Sequence, residues 1–245
     1  MIRYLRRFDP QTIRLLVFDL DGTLIDSRLD LIHSVNAMLR HFQCPELDGD
    51  QIASYVGDGA PALVRRALAA EKEGEDEAFF RSALEYFLGY YRLHKLDHTT
   101  VYEGVPETLA GLANGSHGVS TPGAGKSPDS GTRRLMAVLS NKPVGPSRAI
   151  VEALGMAPFF VHVYGGNSFA TKKPDPLGVR ALLEETGVPA EQALMIGDSS
   201  IDVLTGQNAG LWTCGVTYGF APRSLEEVPP DVLVDRPREL GEMFG

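Results

Sequence analysis

The chain has 245 residues, enough to bury a substantial core with room for a second, smaller domain. Acidic residues outnumber basic ones 32 to 23, a formal net charge of -9 that argues against a nucleic-acid surface or an anionic membrane as partner. A small anionic ligand stays open, because local lysine and arginine placement sets the field of a cleft. The two cysteines, Cys44 and Cys214, lie far apart without metal-ligand spacing. Two free thiols in a reducing compartment are expected, with a single disulfide left open. No apolar run reaches the roughly 18 residues of a membrane span. Asp19 and Asp21 interrupt the first apolar run and make it a poor signal peptide, so a cytoplasmic protein is expected.

Residues Ile13 to Leu20 are almost continuously apolar and are bounded by a DG pair, the pattern of a strand buried on both faces. From about 26 to 98 the pattern changes. RLDLIHSVNAMLRHF, APALVRRALAA and EDEAFFRSALEYFLGYYRLH carry apolar residues at helical spacing, and no strong strand stands among them. A helical domain inserted after the first strand (26–98) is the preferred reading over a long helical crossover. The return hinge is expected around Thr99 and VYEGVPE, leaving 1–25 and 99–245 as the other domain. A helix over 104–112 precedes ANGSHGVSTPGAGKSPDSGTR at 113–133, a Gly, Ser and Pro-rich excursion without apolar period. Its GAGKS is no P-loop, since Ser120 stands where that motif needs glycine.

Strands are then predicted over 134–140, 159–165 and 193–198, with weaker candidates at 211–216 and 231–235. Helices over 145–154, 176–186 and 199–208 alternate with them. The last is introduced by DSS, a helix-cap sequence. Alternation of this kind predicts an α/β fold: an open parallel sheet with an inserted helical unit. Its ligand edge lies at the carboxyl ends of the strands.

Four polar points punctuate those ends. Asp19 and Asp21 close the first strand, and two carboxylates there are costly to desolvate without a cation or hydrogen bonds. Gly22 permits a sharp turn with exposed amides, and Thr23 can hydrogen-bond locally. Ser140 and Asn141 end a second strand, Lys172 and Lys173 sit in a proline-stiffened turn, and Asp198, Ser199 and Asp202 span a strand end and a first helical turn. Each alone reads equally well as a polar turn. Together, Asp19, Asp21 and Asp198 make a natural all-oxygen site for Mg2+. Such a site suits phosphoryl transfer: Asp19 as nucleophile, Asp21 as acid and base, Ser140 and Lys173 on the phosphoryl oxygens. Gly22, Thr23 and Asn141 are further candidates for phosphate contact. The six histidines show no zinc-type spacing and are expected to be structural or exposed.

These residues, as FDLDGTLIDS at 18–27, LSNK at 139–142, KKPDP at 172–176 and GDSSID at 197–202, resemble the haloacid dehalogenase superfamily of phosphohydrolases. The resemblance covers nearly the whole chain. It implies a three-layer, Rossmann-like α/β parallel-sheet core with a helical cap inserted after the first strand, an aspartyl-phosphate on Asp19, and Mg2+ held by Asp19, the Asp21 backbone carbonyl and Asp198. Ser199 and Asp202 would support that shell. YVGDGAPALVRRAL at 55–68 resembles the cap segment of the branch acting on 2-phosphoglycolate. It implies Gly57, Asp58 and Gly59 as cap-loop contributors, with Arg65 approaching a substrate carboxylate. The partner expected is a small phosphorylated metabolite. A sugar phosphate, pyrophosphate, a phosphosugar mutase reaction and a non-catalytic phosphometabolite scaffold are the alternatives; monomer and homodimer stay equally open.

Overall fold

The computed structural model describes residues 1–69, 76–114 and 134–245. Strand β1 is Arg3–Tyr4, β2 Leu15–Phe18 and β3 Ile25–Asp26. Four helices follow: α1 Arg28–His41, α2 Gly49–Ala53, α3 Ala60–Ala69 and α4 Glu77–His94. Then come β4 Thr100–Val101, α5 Val105–Asn114, β5 Leu135–Leu139, α6 Val144–Ala153, β6 His162–Tyr164 and α7 Leu177–Thr186. Last are β7 Ala193–Gly197, α8 Ser200–Ala209, β8 Trp212–Val216, α9 Ser224–Glu227, β9 Val232–Val234 and α10 Pro237–Met243. The GAGKS segment and nearly all of the 113–133 excursion lie outside the described residues; its first two residues continue α5.

Seven strands form one sheet in the order β1-β9-β8-β7-β2-β5-β6, parallel except for β1 against β9. The period of two divides its side chains between the faces. Leu16, Phe18, Met136 and Ile196 join Leu109 of α5, Ile150 of α6 and Leu240 of α10 in one apolar cluster. Leu15, Val17, Ala137 and Met195 join Val179 and Leu182 of α7 in another. Three layers result, as the resemblance implies. The edge strand β1 is not legible in MIRYLRR, because both its residues are exposed and lack apolar alternation. It is held instead by backbone: Leu5 and Arg6 N–H both donate to the Asp231 carbonyl. The 159–165 stretch narrows to three strand residues, since 157–159 turn as a 3-10 helix.

Helices α1 to α4 pack about their own apolar cluster, with Val35, Met38, Leu63, Val64, Phe80 and Phe87 buried in it. The chain leaves the sheet through β3 and returns through β4, which pair antiparallel, Ile25 with Val101 and Asp26 with Thr100. Asp30 secures this two-stranded crossing. Its buried carboxylate accepts the Thr99 N–H at 2.8 Å, the Thr99 hydroxyl at 2.7 Å and the His98 N–H at 2.9 Å. Both cysteines are free and buried. No helix among the described residues is long and apolar enough to cross a membrane.

Replacing Asp30 with Ala strands three donors around a buried space. It is expected to lower the free energy of unfolding by about 2–4 kcal/mol, read from urea denaturation.

Candidate active site

Strand β2 lies between β5 and β7, with Phe18 in register with Val138 and with Ile196. The residues that follow these three strands therefore emerge side by side: Asp19, Ser140 and Asp198. Asp19 is fixed in line by its N–H bond to the Ile196 carbonyl at 2.8 Å. The chain turns at Gly22, whose φ of +82° suits glycine. A side chain there would overlap the Asp198 carboxylate, and one at Gly219 would do the same from the other side. Asp198 is thus cradled by two glycines. Its Oδ2 accepts the Phe220 N–H at 2.5 Å and the Ala221 N–H at 3.3 Å.

Lys173 reaches into this edge from the turn before α7. Its ammonium donates to Asp19 Oδ1 at 2.8 Å and to Asp202 Oδ1 at 2.6 Å, with all three side chains buried. Asp202 is held by a second set of bonds: its Oδ2 accepts the Ser199 N–H at 3.2 Å and the Ser199 hydroxyl at 2.7 Å. The helix cap predicted from DSS therefore also aims the carboxylate that anchors Lys173. Burial draws the Lys173 ammonium toward lower pKa, but the charges of Asp19 and Asp202 prevail and raise it.

Oxygens of Asp19, Asp198 and Asp202 lie within 4.8 Å of one another. One ammonium does not neutralise three buried carboxylates. Burial, more than the opposing Lys173 charge relieves, pushes Asp19 up to about 6. Burial and the charges of Asp202 and Asp19 push Asp198 up to about 8, against the two backbone N–H bonds. An excess of buried carboxylate with oxygen donors alone fits a hard divalent cation. The expectation gave Asp202 a supporting place; its oxygen lies in the same cluster as the other two.

Asp21 forms a separate pair. It accepts Lys142 Nζ at 2.7 and 2.8 Å and the Ser27 hydroxyl at 2.5 Å. Burial draws the Lys142 ammonium down, yet the charge of Asp21 and the neighbouring Tyr91 phenol carry its pKa upward. Lys142 Nζ also lies 4.7 Å from the Tyr91 ring centroid, so an α4 residue meets the sheet edge here. Ser140 accepts the Lys142 N–H at 3.3 Å, and Asn141 Nδ2 donates to the Gly57 and Lys173 carbonyls at 3.0 and 3.1 Å. Among the described residues, Thr23 Oγ1 and Asn141 Oδ1 are buried without partners, polar atoms left for something further to satisfy.

The helical unit roofs these residues over a cavity. Asp19, Asp21, Ser140, Asn141, Lys142, Asp198 and Ser199 line its floor, and Gly57, Gly59, Leu63, Phe87 and Tyr91 line the roof. Asp58 turns its carboxylate to Arg66, while its carbonyl accepts Lys172. Arg65 does not line the cavity; it packs over the Phe80 ring at 3.8 Å and faces Glu77 at 3.5 Å. On α3, Leu63 and Val64 are buried, and Arg65 is one step further round the helix.

Sequence reasoning passed over four contributors. Lys142 stands inside the LSNK motif, but nothing in the motif shows it bonded to Asp21. Tyr91 follows Phe87 at helical spacing and reads as core. Phe220 and Ala221 act through backbone N–H groups, which leave no residue signature.

Asp19 and Asp198 bind protons more tightly folded than unfolded. Without metal, their contribution to stability is full below about pH 4 and falls as pH rises through 6 and 8. A divalent cation bound by these oxygens would displace those protons, and Mg2+ is the ion to test. Its stabilising shift in melting temperature, relative to a chelator control, is expected to grow from pH 5 to pH 8 by calorimetry. Arg65→Ala is expected to leave kcat/KM within about 2-fold of the parent in a phosphate-release assay, since exposed pairs contribute little.

Residues 13–210 match the haloacid dehalogenase-like hydrolase family. The chain is 35% identical over 233 residues to a phosphoglycolate phosphatase of Rhodospirillum rubrum, covering 94% of this chain and 90% of that one. It is 34% identical to a phosphoglycolate phosphatase of Chromobacterium violaceum, covering 95% and 96%. A crystal structure described as a predicted phosphoglycolate phosphatase from Haemophilus somnus 129PT superposes with a TM-score of 0.82. It shares 28% identity, with 94% of this chain and 97% of that chain covered. The fold, the strand-end carboxylates and these likenesses converge: the chain belongs to the haloacid dehalogenase-like hydrolase family, and within it to the phosphatases.

Proposed function

We propose that this chain hydrolyses 2-phosphoglycolate to glycolate and phosphate in the cytoplasm, with Mg2+, through an aspartyl-phosphate on Asp19. The observation that carries the reading is Asp19 beside Lys173 and Asp198 on one sheet edge, beneath a roof of helices. The substrate is supported by the relatives of about 35% identity that bear that name. Residues 26–98 act as the cap, and 1–25 with 99–245 as the catalytic domain.

Asp19 attacks phosphorus and the ester P–O bond breaks. Asp21 gives its proton to the departing glycolate oxygen. Water then attacks phosphorus of the aspartyl-phosphate, passing a proton to Asp21, and the phosphate leaves with Asp19 restored. Lys173, Ser140 and the Gly22, Thr23 and Asn141 region hold the phosphoryl oxygens, where charge stabilisation matters most. Asp19, the Asp21 backbone carbonyl and Asp198 would hold Mg2+, with Ser199 and Asp202 orienting them. The bound ion supplies positive charge that offsets repulsion between an anionic nucleophile and an anionic phosphate. Gly57, Asp58 and Gly59 close the cap loop over the cleft.

The test is Mg2+-dependent phosphate release from equal concentrations of 2-phosphoglycolate, sugar phosphates and pyrophosphate, compared by kcat/KM. A dominant value for 2-phosphoglycolate is expected; dominance of another substrate would replace the named one. Asp19→Asn is expected to lower turnover by at least ~1,000-fold while circular dichroism stays native. Retained turnover in that variant would remove Asp19 as nucleophile. Isomerised rather than hydrolysed product would indicate a mutase.

A further inference from the structure

A substrate bearing a carboxylate two bonds from its ester oxygen brings a second negative charge into a cleft already crowded with acids. Some cation must meet it. Among the described residues, Lys142 is the only cationic side chain that lines the cavity. The other cations lie outside that lining, and Arg28, whose buried Nε has no partner among the described residues, is the nearest rival. Lys173 joins Asp19 to Asp202, Lys172 bonds the Asp58 carbonyl, and Arg66 bonds Asp58 and the Tyr55 carbonyl. Arg65 lies against Phe80 and Glu77, and Arg28 lies over the Phe220 ring at 5.1 Å.

Lys142 has capacity to spare. An ammonium carries three N–H donors, and among the described residues the Asp21 carboxylate takes the close hydrogen bonds of Nζ, at 2.7 and 2.8 Å. On the cap side it meets the face of Tyr91, whose side chain is 3% exposed. The Tyr91 hydroxyl lies beside the ammonium, which can only donate to it, and among the described residues no acceptor takes its buried O–H. A buried O–H with no acceptor is costly, and an acceptor placed beside it removes that cost. One carboxylate oxygen can take the free ammonium N–H and the other the phenol. The position also agrees with the substrate's length. Asp21 must reach the ester oxygen, Lys142 lies one hydrogen bond beyond Asp21, and the substrate carboxylate lies one carbon beyond that ester oxygen. The remaining wall near this pair is apolar, with Leu31, Leu63 and Phe87, so a charged group finds no other partner there.

We infer that Lys142 of the core and Tyr91 of the cap together bind the carboxylate of the substrate and set the specificity of the site for short acidic phosphate esters. The inference rests on the proposed hydrolysis of 2-phosphoglycolate. It assigns the recognition role to these two residues and not to Arg65. Because one partner belongs to each domain, carboxylate binding also joins the cap to the core.

The experiment compares 2-phosphoglycolate with ethyl phosphate, which has a methyl group in place of the carboxylate. It uses the parent enzyme and Lys142→Met, Tyr91→Phe and Arg28→Met. The parent is expected to prefer 2-phosphoglycolate. Lys142→Met should lower kcat/KM for 2-phosphoglycolate by ~100-fold or more, as loss of a buried charge partner does, and for ethyl phosphate by far less. Tyr91→Phe keeps the ring and removes the hydroxyl. It should cost about 10-fold on 2-phosphoglycolate, mostly in KM, and leave ethyl phosphate within about 2-fold. If Lys142→Met fails to fold by circular dichroism, Tyr91→Phe alone decides. Equal losses on both substrates, or loss of preference in Arg28→Met only, would overturn the inference while leaving the proposed substrate standing. A parent enzyme with no preference for the carboxylate would overturn both.

Discussion

One buried ammonium between two carboxylates governs the site. Lys173 bridges Asp19 at the end of β2 and Asp202 in the first turn of α8, and its charge offsets part of the cost of burying these acids so close together. The pairing is incomplete, since Asp198 crowds the same space and both it and Asp19 hold protons more tightly than free carboxylates. A deficit of positive charge at rest is what a reacting site for an anion and a divalent cation requires. Stability is given up locally so that the strongest electrostatic interactions form only when the ligands arrive.

Everything else in the core serves that edge. β2 is central, flanked in register by β5 and β7, so three strand ends deliver Asp19, Ser140 and Asp198 side by side. Two glycines, Gly22 and Gly219, leave the volume that Asp198 fills. Apolar clusters on both faces hold the sheet rigid beneath them.

The helical unit has a core of its own and meets the sheet through few polar contacts. Asp30 fixes the double crossing, Asn141 reaches the Gly57 carbonyl, Lys172 reaches Asp58, and Lys142 meets Tyr91. Phe220, whose N–H bonds Asp198, also packs against the apolar cluster of the helical unit, so an apolar contact joins these polar ones beside the cavity.

Much of this was legible in the sequence because it follows from local rules. Buried parallel strands read as apolar runs, the helical unit reads as 3.6-residue periodicity, and carboxylates at strand ends stand out because burying them is expensive. The acids of the site, Asp19, Asp21, Asp198 and Asp202, and the lysine Lys173 could all be named from those rules. What residue types and spacing do not encode is direction. Arg65 and Tyr91 both sit on helices of the inserted unit, yet only Tyr91 faces the cavity, because helix rotation is set by which apolar neighbours each helix buries. Lys142 could be read in its motif but not paired with Asp21, 121 residues earlier. The backbone N–H groups of Phe220 and Ala221 carry no side-chain identity at all. Sequence by itself determined the chemistry available and the strand ends that present it. Tertiary packing alone decided which charges meet, because a pairing between distant segments depends on how whole elements stack.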